Sequence, residues 1–215
     1  MSNILLQGPH QGQPVLMAGK PLTEATAAMI LLHGRGATAE NILELAQELP
    51  HAKMAYLAPQ AAQHTWYPYS FLAPIAHNEP WLSSALHLLA DLLARVEAAG
   101  IPAERIVVGG FSQGACLAAE FAARNARRYG GLLAFSGGVI GPPGASRTAE
   151  GDLLGTPAFL GCSDVDSHIP LARVQETADL FTQMGGQVTM RIYPQMGHTI
   201  IANEIEQARQ IVGRL

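Results

Sequence analysis

Ile106-Val107-Val108-Gly109-Gly110-Phe111-Ser112-Gln113-Gly114 runs directly into Ala115-Cys116-Leu117-Ala118-Ala119-Glu120-Phe121. Residues 106–111 form a buried strand by composition, and residues 113–128 read as a small-residue-rich helix. The turn between them is Gly-x-Ser-x-Gly. Such a strand-to-helix corner is tight and strained, and a side chain at position 110 or 114 would crowd the neighbouring backbone. The helix opening behind Ser112 supplies free N–H groups and a partial positive charge, which favour an oxyanion there. Ser112 is the candidate nucleophile, exposed on a nucleophile elbow.

Outward from the elbow, strand-length apolar runs alternate with segments of helical period. Residues 27–33 (AAMILLH), 54–58, 131–136, 158–161 and 188–193 are read as further strands. Helices are expected over 42–49, with Thr38 as N-cap, and over 81–99, stopped by Gly100 and Pro102. Two more fall at about 171–184 and 201–215. Strands that are continuously apolar imply burial on both faces, as in a parallel sheet covered by helices. No repeat or linker divides the chain, so residues 1–215 are expected to form one α/β domain.

A serine hydroxyl needs a base to take its proton. On such an elbow scaffold, that of the α/β-hydrolases, the partners follow in the order Ser, acid, His. Only His168 and His198 follow Ser112 among eight histidines. His198 lies just after the last strand, where its loop emerges on the elbow's edge of the sheet. His168 sits inside the expected acid-bearing loop, so His198 is the expected base. Among the acids between Ser112 and His198, only Asp164 and Asp166 immediately follow a strand. The Asp-x-x-Ile-Pro spacing favours Asp166, with Asp164 as the alternative; the other aspartate would form a turn. The acid's task is to hold the imidazole tautomer and stabilise the imidazolium.

An oxyanion hole needs two N–H donors. The backbone N–H of Gln113 is one; the loop His33-Gly34-Arg35-Gly36 is expected to give the other, from Arg35. The long loop over residues 59–80 carries Trp66, Tyr67, Tyr69 and Phe71. Trp66, Tyr67 and Phe71 are expected to shape the substrate pocket, or else to pin the loop to the body. A second long loop covers 137–157.

Composition excludes several roles. The 215 residues carry a formal net charge of −4 and only two lysines, so there is no electrostatic footprint for nucleic acid. No apolar stretch reaches the roughly 20 residues of a membrane span, and the first residues lack the pattern of a secretory signal. Cys116 and Cys162 are expected as free thiols in a reducing, cytoplasmic setting. Histidine spacing gives no metal site, and no cofactor is implied.

The assembled pieces resemble the phospholipase/carboxylesterase family, which includes the acyl-protein thioesterases. The matching residues are Leu32-His33-Gly34-Arg35-Gly36, Gly110-Phe111-Ser112-Gln113-Gly114, Asp166 through Pro170, and Gly197-His198. The resemblance implies an α/β-hydrolase without a large lid and a metal-free hydrolysis of carboxylic esters or acyl thioesters. Relatives often carry His-Gly where this chain has Cys162-Ser163. The loop over 64–71 looks like a bacterial branch that includes esterases linked to quinone and aromatic-compound response. The substrate is expected to be a small ester or thioester. Hydrolysis of an enol-lactone, or non-catalytic binding on the same scaffold, are the competing readings. Monomer and homodimer both remain open.

Overall fold

The computed structural model describes residues 8–145, 147 and 149–215. The N-terminal segment through residue 7, read above for a signal, lies outside the described residues. Seven strands form one sheet: β1 (Val15–Gly19), β2 (Ala27–Leu32), β3 (Met54–Pro59), β4 (Ile106–Phe111), β5 (Gly131–Phe135), β6 (Pro157–Ser163) and β7 (Gln187–Tyr193). Their order is β1-β3-β2-β4-β5-β6-β7, and only β1 runs antiparallel to its neighbour. The helices are α1 (Ala39–Leu43), α2 (Leu45–Glu48), α3 (Trp81–Ala98), α4 (Gln113–Arg124), α5 (Leu171–Gln183) and α6 (Ala202–Val212). This is the α/β-hydrolase architecture, and no large lid covers it among the described residues.

Strand β2 explains why its residues read as an unbroken apolar run. Its six residues are at most 1% exposed, yet they serve two cores. Ala28, Ile30 and Leu32 pack with Leu89, Leu93, Phe121 and Phe181 from α3, α4 and α5. Ala27, Met29 and Leu31 face the other way, onto Ile42 of α1 and Ile205, Ala208 and Ile211 of α6. Side chains alternate across a strand, so helices on both faces demand apolar residues at every position. Each fully buried Leu, Ile or Met contributes roughly 1.5–3 kcal/mol.

Three expectations change. Strand β7 is not buried on both faces; its residues are only half-buried or exposed, because it is the sheet's last strand. The expected helix over 42–49 is two short pieces that meet at Glu44, although Thr38 does cap the first by accepting the Asn41 N–H at 3.3 Å. Helix α4 stops at Arg124 rather than continuing to 128. There the Asn125 side chain donates back to the Phe121 carbonyl at 2.9 Å, and the Tyr129 hydroxyl donates to the Asn125 carbonyl at 2.7 Å. The Tyr129 bond satisfies a carbonyl that the helix end leaves open, and the Asn125 side chain adds a second donor to a carbonyl that already accepts the Asn125 N–H at 2.9 Å.

Because β2, β4, β6 and β7 are parallel, the segments that follow them emerge on one edge of the sheet. That edge collects Gly34, Ser112, Asp166 and His198. Among the described residues, no helix is long and apolar enough to cross a membrane.

Candidate active site

The corner after β4 is built by steric necessity. Ser112 has φ 56° and ψ −119°, a left-handed conformation that L-residues rarely adopt. A Cβ on Gly110 would meet the Leu32 carbonyl oxygen at 2.5 Å, and one on Gly114 would meet it at 2.1 Å. Neither collision is with a flexible side chain. The strained corner is held by the Ser112 N–H, which donates to the Phe135 carbonyl at 2.9 Å, and by the Ser112 carbonyl, which accepts from Cys116 N–H at 3.0 Å.

From that corner the Ser112 hydroxyl reaches His198 Nε2 at 2.8 Å, and His198 Nδ1 reaches Asp166 Oδ2 at 2.7 Å. A carboxylate only accepts, so the Nδ1 proton points at Asp166 and Nε2 is left to accept from Ser112. The Asp166 side chain is shielded from solvent. Its other oxygen accepts the N–H groups of His168 at 2.8 Å and Ile169 at 3.1 Å. Burial alone would push this carboxyl up, but the His198 hydrogen bond and those two N–H groups outweigh it. Asp166 is held below the usual carboxylate range.

The alternative acid has other work. Asp164 is exposed, and its Oδ1 accepts the Gln195 N–H at 2.8 Å, tying the acid loop to the histidine loop. His168 stays out of the hydrogen-bond chain but not out of the site. Its ring lies 4.8 Å from that of His198, and Phe111 lies 4.8 Å from the same imidazole. The imidazole is thus flanked by two rings.

Gly34 lies beside the elbow: a Cβ there would stand 3.5 Å from Ser112 Cβ. His33 sets its orientation. The buried His33 ring accepts the Ala61 N–H at Nε2, 3.0 Å away, so its Nδ1–H donates to the Gly34 carbonyl at 2.8 Å. Burial lowers the pKa of His33, consistent with this neutral tautomer. A trans peptide carries its C=O and N–H on opposite sides, so the Arg35 N–H is turned away from His33.

The aromatic loop divides into two parts. Tyr67 and Phe71 line a cavity of about 500 Å³ beside Ser112, together with Arg35, Gln113, Cys116 and Ile169. Trp66 does not line it. That side chain is wholly buried, its ring is 5.0 Å from His33 and 5.5 Å from His10, and its Nε1–H donates to the His33 carbonyl at 2.8 Å. Trp66 is the pin of the loop rather than a wall of the pocket. A second cavity of about 690 Å³ lies across His198, lined by Ile42, Leu45, Phe111, Ile200, Glu44 and Glu48. Sequence reasoning did not find this cavity, nor His168 and Cys116 as site neighbours.

Both cysteines are free and buried, and burial pushes each thiol up to about 12. Among the described residues, no group of His, Cys, Asp and Glu could hold a metal ion.

The sheet and the residues gathered on its edge define an α/β-hydrolase. A family model described as Phospholipase/Carboxylesterase matches residues 17–213, and the chain belongs to that family of carboxylic ester hydrolases. Acyl-protein thioesterase 1 of Eremothecium gossypii is 29% identical over 205 residues, covering 86% of each chain. A crystal structure of a phospholipase/carboxylesterase from Dyadobacter fermentans is 43% identical, covers 93% of this chain and 96% of that one, and superposes with a TM-score of 0.88. The Bacillus cereus carboxylesterase shares the fold at a TM-score of 0.73 and 20% identity, over 95% of both chains.

Proposed function

We propose that this protein hydrolyses small carboxylic esters or acyl thioesters through a covalent acyl-enzyme on Ser112. The observation that carries this reading is the unbroken chain from Ser112 Oγ through the His198 ring to Asp166, with links of 2.8 Å and 2.7 Å.

In the first half-reaction, Ser112 Oγ bonds to the acyl carbon while its proton passes to His198 Nε2. The carbonyl electron pair moves to oxygen, where the N–H groups of Gln113 and Arg35 receive it. Each such donor is worth about 10²–10³ in rate. Collapse of the tetrahedral intermediate breaks the bond to the alcohol or thiol, which takes the proton from His198. In the second half-reaction, water gives its proton to His198 and attacks the acyl carbon. The acid is released, and Ser112 recovers its proton. Asp166 stays ionised throughout and stabilises the imidazolium. The acyl chain lies against Tyr67 and Phe71.

Support also comes from the names of relatives, which include acyl-protein thioesterase 1 and carboxylesterases. The test is turnover of p-nitrophenyl butyrate with fluorophosphonate labelling. The native chain should turn over the ester and carry one label, on Ser112. Ser112→Ala should lose both while keeping its circular dichroism spectrum. A folded native chain that neither turns over nor takes the label would end this reading.

A further inference from the structure

The two cavities that meet at His198 carry opposite charge. The cavity that borders Ser112 includes Arg35 and no Asp or Glu among its described lining residues. The cavity across His198 does not border Ser112 and carries Glu44 and Glu48; Glu48 is paired with Arg209 at 3.2 Å, so among the described residues Glu44 supplies its unpaired charge. If Ser112 is acylated, the acyl group must occupy the cavity that Ser112 itself borders. The group leaving with the proton of His198 then faces the acidic cavity.

Arg35 is built into the wall of the acyl cavity. Its guanidinium donates to Thr65 Oγ1 at 3.0 Å, to the Pro68 carbonyl at 2.9 Å and to the Tyr69 carbonyl at 2.7 Å. It also lies 5.9 Å from the centre of the Tyr67 ring. These acceptors are uncharged, so they fix the guanidinium without neutralising it. Among the described residues, no carboxylate pairs with Arg35. Three hydrogen bonds use three of its five N–H donors, which leaves two. Tyr67 adds a third donor. Its hydroxyl is buried and lies against the weakly accepting Cys116 thiol, with no oxygen or nitrogen partner among the described residues, and both residues line the cavity. A buried hydroxyl with so weak a partner is costly unless a ligand supplies a better one.

We propose that this cavity is an anion-recognising acyl subsite, in which the Arg35 guanidinium and the Tyr67 hydroxyl receive a carboxylate on the far end of the acyl group. The preferred substrates are then half-esters or half-thioesters of short dicarboxylic acids rather than plain fatty esters. This inference rests on the acyl-enzyme reading above.

The experiment compares mono-p-nitrophenyl glutarate and adipate with the matching p-nitrophenyl carboxamides, which are uncharged and nearly isosteric. The better-fitting acid should be favoured over its amide by about tenfold in kcat/KM at low salt, because charge-assisted bonds exceed neutral ones. That preference should shrink several-fold near 1 M salt, where the Debye length is about 3 Å. Arg35→Gln should abolish the ratio whatever it does to absolute rates, Arg35→Lys should keep part of it, and Tyr67→Phe should reduce it. Equal turnover of acid and amide by the native enzyme overturns the subsite and leaves the esterase reading intact. A preference that survives Arg35→Gln also overturns it. If Arg35→Gln is inactive on every ester, the native enzyme's ratio and its salt dependence decide. No turnover of any of the four esters would count against the hydrolase reading itself.

Discussion

The side-chain oxygen of Gln113 accepts the backbone N–H of Trp66 at 2.9 Å. The same amide donates to the Tyr67 carbonyl at 2.8 Å. The residue after the nucleophile therefore has two tasks. In the proposed mechanism its backbone N–H receives the oxyanion, while its side chain fastens the loop that lines the cavity beside Ser112.

These tasks separate by substitution. Gln113→Ala keeps the backbone donor and removes the fastening. The expected outcome is a KM raised about tenfold, matching the loss of buried hydrogen bonds worth about 1.4 kcal/mol, with a smaller change in kcat. Limited proteolysis within residues 59–80 should become faster. A fall in kcat at constant KM would show that the side chain serves the reacting atoms instead.

The two aspartates of the acid loop should differ sharply. Asp166→Asn removes the acceptor that fixes the His198 tautomer, and kcat should drop by about 10³–10⁴. Asp164→Asn retains an oxygen that can accept the Gln195 N–H, so kcat should stay within about threefold. Comparable losses in both variants would refute the assignment of Asp166 as the sole partner of the imidazole.

Acid should act on the site in two stages. His198 must be unprotonated to accept the Ser112 proton, so log kcat/KM for an activated ester should fall with unit slope as pH is lowered. Asp166 is held below its unfolded value, so its contribution to stability is present above that value and is lost as pH falls through the folded one. The unfolded reference is about 3.9, so this second loss comes below about pH 4. Stopped-flow rates and thermal melts across pH 3–8 test both stages. An acid limb without slope would remove His198 as the base.

Glu204 predicts a pH effect of opposite sign. Its Oε2 accepts the Ile201 N–H at 3.0 Å, capping α6 just beyond the histidine loop, while Oε1 is buried without a hydrogen-bond partner among the described residues. Ile201 has no side-chain acceptor to return the bond, so only half of a capping box exists. Burial pushes the Glu204 carboxyl up to about 7. A raised folded pKa means a contribution fully present below the unfolded value near 4.3 and lost as pH rises through about 7. Above neutrality the ionised form costs on the order of 3 kcal/mol. Glu204→Gln keeps an acceptor for Ile201 and should melt higher than the native protein at pH 8–9, with little difference at pH 5. Equal melting temperatures at pH 9 would contradict the buried-carboxyl account.

The parts of this protein that were legible in the sequence are those fixed by local sterics or chain order. Gly110 and Gly114 announce the elbow because their backbones touch that of β2, and nothing larger fits there. His198 follows from the order of partners after Ser112, and the strand set follows from two-sided burial. Other features depend on what lies underneath. Trp66 reads equally well as a pocket wall or as a pin until His10 and His33 are seen against its ring. Strand β1 has an apolar run of strand length but lies outside the expected set, because what makes it a strand is its antiparallel pairing at the sheet edge with β3, which no helix alternation in the chain signals. The ring contact between His168 and His198 arises from two loops 30 residues apart, and no spacing in the chain encodes it.

The thiol of Cys116 sits in the acyl cavity within the same helical turn as the nucleophile, yet burial lifts it to about 12. At neutral pH the reactive thiolate is a very minor form. Electrophiles sent into this cavity will therefore meet sulfur in a form that hardly competes with the serine. A mechanism-based inhibitor can carry a soft warhead without being diverted, and inactivation kinetics should remain a clean count of hydroxyl chemistry.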